Sequence, residues 1–148
     1  MYVRWLGAFG KSNNLHTSLD WELSQTNKEV CAENILKNSY SNILHAKVGL
    51  LIPSSAVVKK FNGDCWSKYN NNNMLYKTRN PKNANSEHLE VFCKPIYKGI
   101  IIKGGYNPTY GFFNLPKKIR STIKYFSKKY HLPIYYFQEN GNIKIIDI

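Results

Sequence analysis

Acidic residues are scarce in this chain, and one long stretch has none at all: between Glu90 and Glu139 there is no aspartate or glutamate. The same stretch holds Lys94, Lys98, Lys103, Lys117, Lys118, Arg120, Lys124, Lys128 and Lys129, nine of the twelve net positive charges of the 148-residue chain. A field of one sign raises the local concentration of polyanions, which makes nucleic acid the expected partner. The plain alternative is a solubilising face. Nine carboxylates in the whole chain leave little from which to build the acidic metal cluster of a nuclease. Asp64 with Glu87 and Lys94 is the one candidate group, and its spacing fits no such pattern.

Cysteine is equally scarce. Cys31, Cys65 and Cys93 are odd in number, scattered, and contain no Cys-x-x-Cys pair. That argues against a disulfide framework and for a reducing, cytoplasmic setting, with Cys31 and Cys93 as core cysteines. No run approaches the 18 or so apolar residues of a membrane span, and no apolar leader opens the chain. The expectation is therefore one domain over residues 1–148, without membrane partners.

What is present is a globule's worth of apolar residues, 43%, with tyrosine making up 11 of the 21 aromatic side chains. The asparagine run at 70–73 reads as a solvated loop with AT-rich coding bias. "MYVRWLGAF" reads as a first strand, stopped by the turn chemistry of "GKSNN". "NKEVCAENILKN" suggests a short helix capped by Asn27, and "VGLLI" a buried strand stopped by Pro53. "FNGDCWSKYNNNN" is turn and loop; "MLYKT" is a short strand, followed by the loop "RNPKNAN". "LEVFCKPI" and "KGIIIKGG" are two further strands, while "LPIYYFQ" and "NIKIIDI" flank the hairpin turn "ENGN". The clearest helix is "NLPKKIRSTIKYFSKKYH", with Asn114 as cap and Pro116 at the first helical position. The fold class expected is α+β: a single domain with a mixed, antiparallel or split sheet of about seven strands and two or three helices, one of them basic and amphipathic near 116–130.

In that basic helix Ile119, Ile123, Phe126 and Tyr130 recur at i, i+4, i+7 and i+11, a single apolar stripe. The stripe must face a sheet, so the lysines must look outward, and Lys117, Arg120, Lys124 and Lys128 are the candidate nucleic-acid contacts. The stripe is narrow and lacks Trp and Leu, which disfavours a membrane-surface helix.

Two thiol-based chemistries can be weighed. "VCAENIL" carries Cys31-Ala32-Glu33, which resembles the triplet with which zinc-dependent cytidine deaminases supply a thiolate and a proton-shuttling Glu from a helix start. Cys65-Trp66-Ser67-Lys68 lacks the second thiolate of the Pro-Cys-x-x-Cys pair, so three protein ligands are not met and no metal is expected. No local signature pairs a cysteine with His16, His45, His88 or His131 for thiol catalysis.

"LEVFCKPIYKGIIIKGG" and "KVGLLIPSSAVVKKF" carry a different likeness. With Arg4 on "YVRW", Ser54-Ser55 after "VGLLI" and Glu90 entering "VFC", the chain resembles ADP-ribosyltransferases, and more narrowly the DarT-like toxins that modify DNA, over roughly residues 45–105. "LHTS", with His16 and Thr17, is similar to their opening His-x-Thr motif, although the spacing differs. The resemblance implies NAD as cofactor, held by Arg4, Ser54, Ser55 and His88, with Glu90 as the catalytic carboxylate that stabilises positive charge on the ribose as nicotinamide leaves. Protein-arginine modifiers carry Glu two residues before the catalytic one; here that residue is His88, which disfavours arginine as acceptor and leaves a nucleobase open, in agreement with the basic surface. The expected function is a nucleic-acid-directed ADP-ribosyltransferase of toxin or phage type, with a host or antitoxin protein as a further partner. The alternative is a non-enzymatic basic protein that binds nucleic acid or a partner protein.

Overall fold

Two apolar runs, "VGLLI" and "GIII", set the middle of the molecule, because strands apolar at every position must be covered on both faces. In the computed structural model, which describes residues 1–6, 14–25, 28–34, 48–60, 90–103, 115–138 and 141–146, both runs are interior strands of one sheet. The strands are β1 (Tyr2–Trp5), β2 (Val30–Asn34), β3 (Val48–Ile52), β4 (Val57–Lys60), β5 (Glu90–Cys93), β6 (Gly99–Lys103), β7 (Ile134–Phe137) and β8 (Ile143–Ile146). Their order across the sheet is β4-β5-β2-β1-β3-β6-β7-β8. Every neighbouring pair is antiparallel except β6 and β7, which run parallel. A parallel pair needs a crossover, and the helix α2 (Lys117–Tyr130) lies in that connection. The other helix, α1 (Leu15–Ser24), follows β1. The class is thus mixed-sheet α+β, with eight strands where about seven are expected.

Both helices bury their stripes on one face of the sheet. Leu15 and Leu19 of α1 and Ile123 and Phe126 of α2 pack with Leu50, Ile100, Ile102 and Tyr136, all buried. A second cluster, Tyr2, Val30, Ala32, Ile52, Ala56, Val91 and Cys93, fills the β1/β2/β5 end. On the opposite side Val3, Leu51, Ile101 and Phe137 form a third. The stripe expected in α2 is borne out: Ile123 and Phe126 are fully buried, with Ile119 and Tyr130 half-buried at its margins.

One local expectation changes, and two segments with no expected element take shape. Val30–Asn34 is a strand, not part of a helix: β1 and β5 both pair with it, and burial alternates, with Val30 and Ala32 inside and Cys31 and Glu33 half-exposed. Val30–Glu33 pair with β5 and Glu33 and Asn34 with β1, and these two ladders outweigh the helix propensity of Ala and Glu. Leu15–Ser24 is a helix where only a turn is expected before it. Asn14 caps it, its side chain accepting from the His16 amide, and Leu15 and Leu19 lie on its buried side. After "VGLLI" comes a short 3-10 turn, Ser54–Ala56, and then an edge strand, β4, running to Lys60.

Pro116 takes the N-cap position of α2, one before the first helical residue, and His131 closes that helix in the left-handed conformation. The β7–β8 hairpin stands as expected, with Gly141 at φ 90° and Gln138 and Asn142 bonded across it. Asn27, "MLYKT", "RNPKNAN", Cys65 and Asn114 lie outside the described residues.

Candidate active site

The site begins where β1 and β2 stop pairing. Their ladder consists of Tyr2↔Asn34 and Val3↔Glu33. Beyond it the Arg4 guanidinium spans the two strands, with Nη1 donating to the Cys31 carbonyl at 3.1 Å. The same side chain reaches α1: Nε and Nη2 donate to Glu22 Oε1 at 3.3 and 3.1 Å. Glu22 is the buried member of this ion pair, at 7% side-chain exposure against 31% for Arg4. Its other oxygen, Oε2, accepts from the Tyr97 hydroxyl at 3.3 Å. One carboxylate thereby ties β1, α1 and the β5–β6 connection together. Burial, and then the negative charge of Glu22, hold the Tyr97 hydroxyl protonated well above the usual tyrosine range.

Around Arg4 two hollows open. The larger, about 420 Å³, lies between β1 and β2 and is lined by Arg4 and Trp5, by Cys31 and Glu33, by Phe92 of β5, and by Trp21 of α1 at its mouth. The smaller, about 320 Å³, lies on the α1 side of Arg4 and adds Thr17, Ser18 and Glu22. Trp21 is about half exposed and lines both; the Lys28 ammonium sits 5.4 Å from its ring centroid. The larger hollow mixes signs, since Lys28 and Arg4 share it with Glu29 and Glu33.

The sequence-derived candidates divide as follows. Arg4 is on β1 and in the cleft, but its guanidinium is already committed to Glu22 and Cys31. Glu90 opens β5 directly opposite Glu33, whose side chain lines the cleft. Ser54 and Ser55 are exposed on the turn after β3, which is the third strand in sequence, and line neither hollow. The hydroxyls that share a hollow with Arg4 are instead Thr17 and Ser18. His16 is exposed in the first turn of α1, while His88 and Glu87 lie outside the described residues. On α2, Lys117, Lys124 and Lys128 are exposed and Arg120 is half-buried.

The deaminase-like triplet does not hold up. Cys31-Ala32-Glu33 sits on a strand rather than a helix start, and Cys31 is disulfide-bonded, which removes it as a thiolate ligand. That disulfide also departs from the expectation of a reduced, buried Cys31. Cys93 is the core cysteine expected: free, fully buried, and with its thiol pushed up to about 11 by burial. Among the described residues no helix is long and apolar enough to cross a membrane.

Sequence reasoning missed Glu22, Trp21 and Tyr97. Glu22 and Trp21 fall on a helix the sequence did not announce, and Tyr97 meets Glu22 from 75 residues away. The available signal was the Asn14 cap followed by Leu15 and Leu19, which would have turned "LHTSLDWELS" into a helix. No family model matches this chain, and no curated protein or solved structure does either.

Proposed function

We propose that this chain is an ADP-ribosyltransferase that uses NAD and modifies nucleic acid, with the β1/β2 cleft as its cofactor site and Glu90 as the catalytic carboxylate. One observation carries the reading: the cleft where β1 and β2 part has Arg4 on one wall, while β5, headed by Glu90, runs along the far side of β2. In such a reaction the bond between nicotinamide and its ribose breaks, and the pair in that bond leaves with neutral nicotinamide. The acceptor attacks the ribose carbon and gives up one proton. A carboxylate beside that carbon stabilises the positive charge as it develops. Lys28, beside the Glu22-paired Arg4, supplies a cation for the pyrophosphate and Trp21 a flat wall for a ring, while Thr17 and Ser18 offer hydroxyls for a ribose from the adjoining hollow on the α1 side of Arg4. A nucleic-acid acceptor accords with the one-sign charge of residues 91–138 and the outward lysines of α2.

The test is transfer of label from NAD labelled in its adenylate phosphate to single- or double-stranded DNA or RNA. Wild type should label the nucleic acid, and Glu90→Gln should lose label by at least about a hundredfold, as removal of a charge-stabilising group does. Arg4→Ala should raise KM for NAD more than it lowers kcat. A second reading, a binding protein without catalysis, is favoured by the α2 face alone. It takes over if wild type binds oligonucleotides in a salt-dependent way yet transfers no label.

A further inference from the structure

A third hollow, which shares no lining residue with the two around Arg4, lies between the start of α2 and the first turn of α1. It measures about 730 Å³, opens widely to solvent, and is lined by His16, Lys117, Lys118, Ser121, Thr122 and Tyr125. Helical spacing explains the set: 121 and 122 lie three and four residues after 118, and 125 lies four and three residues after them, along one side of α2. Tyr125 is 52% exposed, an unusual position for a large ring beside a cluster of lysines. It is held there by stacking on His16, centroids 5.8 Å apart at 26°, and by an edge contact to Phe126 at 5.0 Å. The Lys129 ammonium lies 5.8 Å from its centroid.

We propose that this groove docks an unpaired segment of nucleic acid, with Lys117 and Lys118 taking backbone phosphates and Tyr125 stacking a base. Three features select that occupant among polyanions. The charge is of one sign, since α2 carries six cations and no acid. The groove offers a fixed aromatic face, which bases use and phosphorylated headgroups do not. The solvent side of α2 shows no aliphatic side chain that a bilayer would take up. A base inside a duplex is already stacked, so Tyr125 discriminates for single strands. The groove extends the function proposed above, and rests on it only for its use as the acceptor's docking surface. His16 at the groove and Trp21 at the cleft are five residues apart on α1, about 7.5 Å along the helix axis. A strand held in the groove therefore has the cleft within reach.

The experiment is fluorescence anisotropy with a short random-sequence oligonucleotide, single-stranded and annealed, across a salt series and without NAD. Tyr125→Ala should weaken single-strand binding about tenfold, the size of one lost base stack, while duplex binding changes little. Tyr125→Phe should restore it. Lys117→Glu with Lys118→Glu should flatten the salt dependence by about two units of slope. Lys144→Glu on the exposed β8, which makes the charge change of Lys117→Glu alone, should have a much smaller effect than that single variant. The proposal is overturned if Tyr125→Ala leaves single-strand affinity unchanged, if Lys144→Glu acts as strongly as Lys117→Glu alone, or if vesicles of anionic lipid displace the oligonucleotide. Because binding is read without NAD, a failed transfer assay leaves this result standing, and loss of groove binding leaves the cleft standing.

Discussion

At the scale of single residues, Glu22 explains more than any residue visible in the sequence pattern. A carboxylate this buried persists because Arg4 and Tyr97 both donate to it, and removing one partner leaves the others with desolvated polar groups. Glu22→Ala should destabilise the fold by about 2–3 kcal/mol, discounted from the cost of breaking a fully buried pair because Arg4 is partly solvated. Urea denaturation measures this, and a change under about 0.5 kcal/mol would mean that the network contributes nothing net. Arg4→Lys should recover only part of Arg4's role, since one ammonium cannot serve Glu22 and the Cys31 carbonyl in the same fork geometry. Cys93 gives a second expectation at this scale. Fully buried, with a thiol that ionises only near pH 11, it should resist maleimide in native buffer and react on unfolding. Rapid native labelling at Cys93 would show that the β4–β5 end opens. Arg4 was legible in the sequence as a cation on a first strand; its partner was not, because nothing local marks which residue meets it 18 positions on.

At the scale of elements, strands with continuous apolar runs and the helix with one apolar stripe could be read directly, because burial demands alone decide their type. β2 could not. "VCAEN" has helix formers in it, and only its two neighbours, β1 and β5, make it a strand. Glu90 was placed at the head of its strand by the switch from polar loop to "VFC", yet the residue opposite it, Glu33, depended on reading β2 correctly. Close packing at the cleft gives a test of this layer. Gly49 stands opposite Trp5 in the β1–β3 ladder, and a Cβ there would lie 2.8 Å from Val3 Cγ2 and 2.9 Å from Trp5 Cε3. Gly49→Ala must push Trp5, a wall of both hollows, out of position. It should cost about 1–3 kcal/mol by thermal unfolding and raise KM for whatever ligand the cleft takes. At the end of α2, His131 holds φ 54°, a left-handed cap for which glycine carries no Cβ penalty. His131→Gly should leave stability unchanged or raise it by up to about 1 kcal/mol, and a clear loss would mean that the imidazole itself caps the helix.

For the whole molecule, the charge imbalance was plain from the sequence, whereas the response to pH depends on tertiary burial. Cys93 is pushed up to about 11 from 9.0 by burial, and the Tyr97 and Tyr136 hydroxyls are held above their ordinary 10.0, chiefly by burial and at Tyr97 also by Glu22. All three are neutral when protonated, and in each the fold favours the proton. The unfolded chain therefore releases protons first as pH rises, and stability must fall with pH. Their contribution is complete below about pH 9 and is lost progressively as pH climbs toward the folded-state values, by at most about 1.4 kcal/mol per pH unit for each group. The melting temperature should accordingly fall once pH passes about 9. Tyr136 separates this from general alkaline damage. Its hydroxyl is buried with no hydrogen-bond partner among the described residues, so Tyr136→Phe removes a desolvated group that none of them satisfies. That variant should be at least as stable as wild type at pH 7 and should lose stability less steeply above pH 10. A Tyr136→Phe protein that is weaker at neutral pH, with an unchanged alkaline limb, would show that the hydroxyl is satisfied and that the ionisation lies elsewhere.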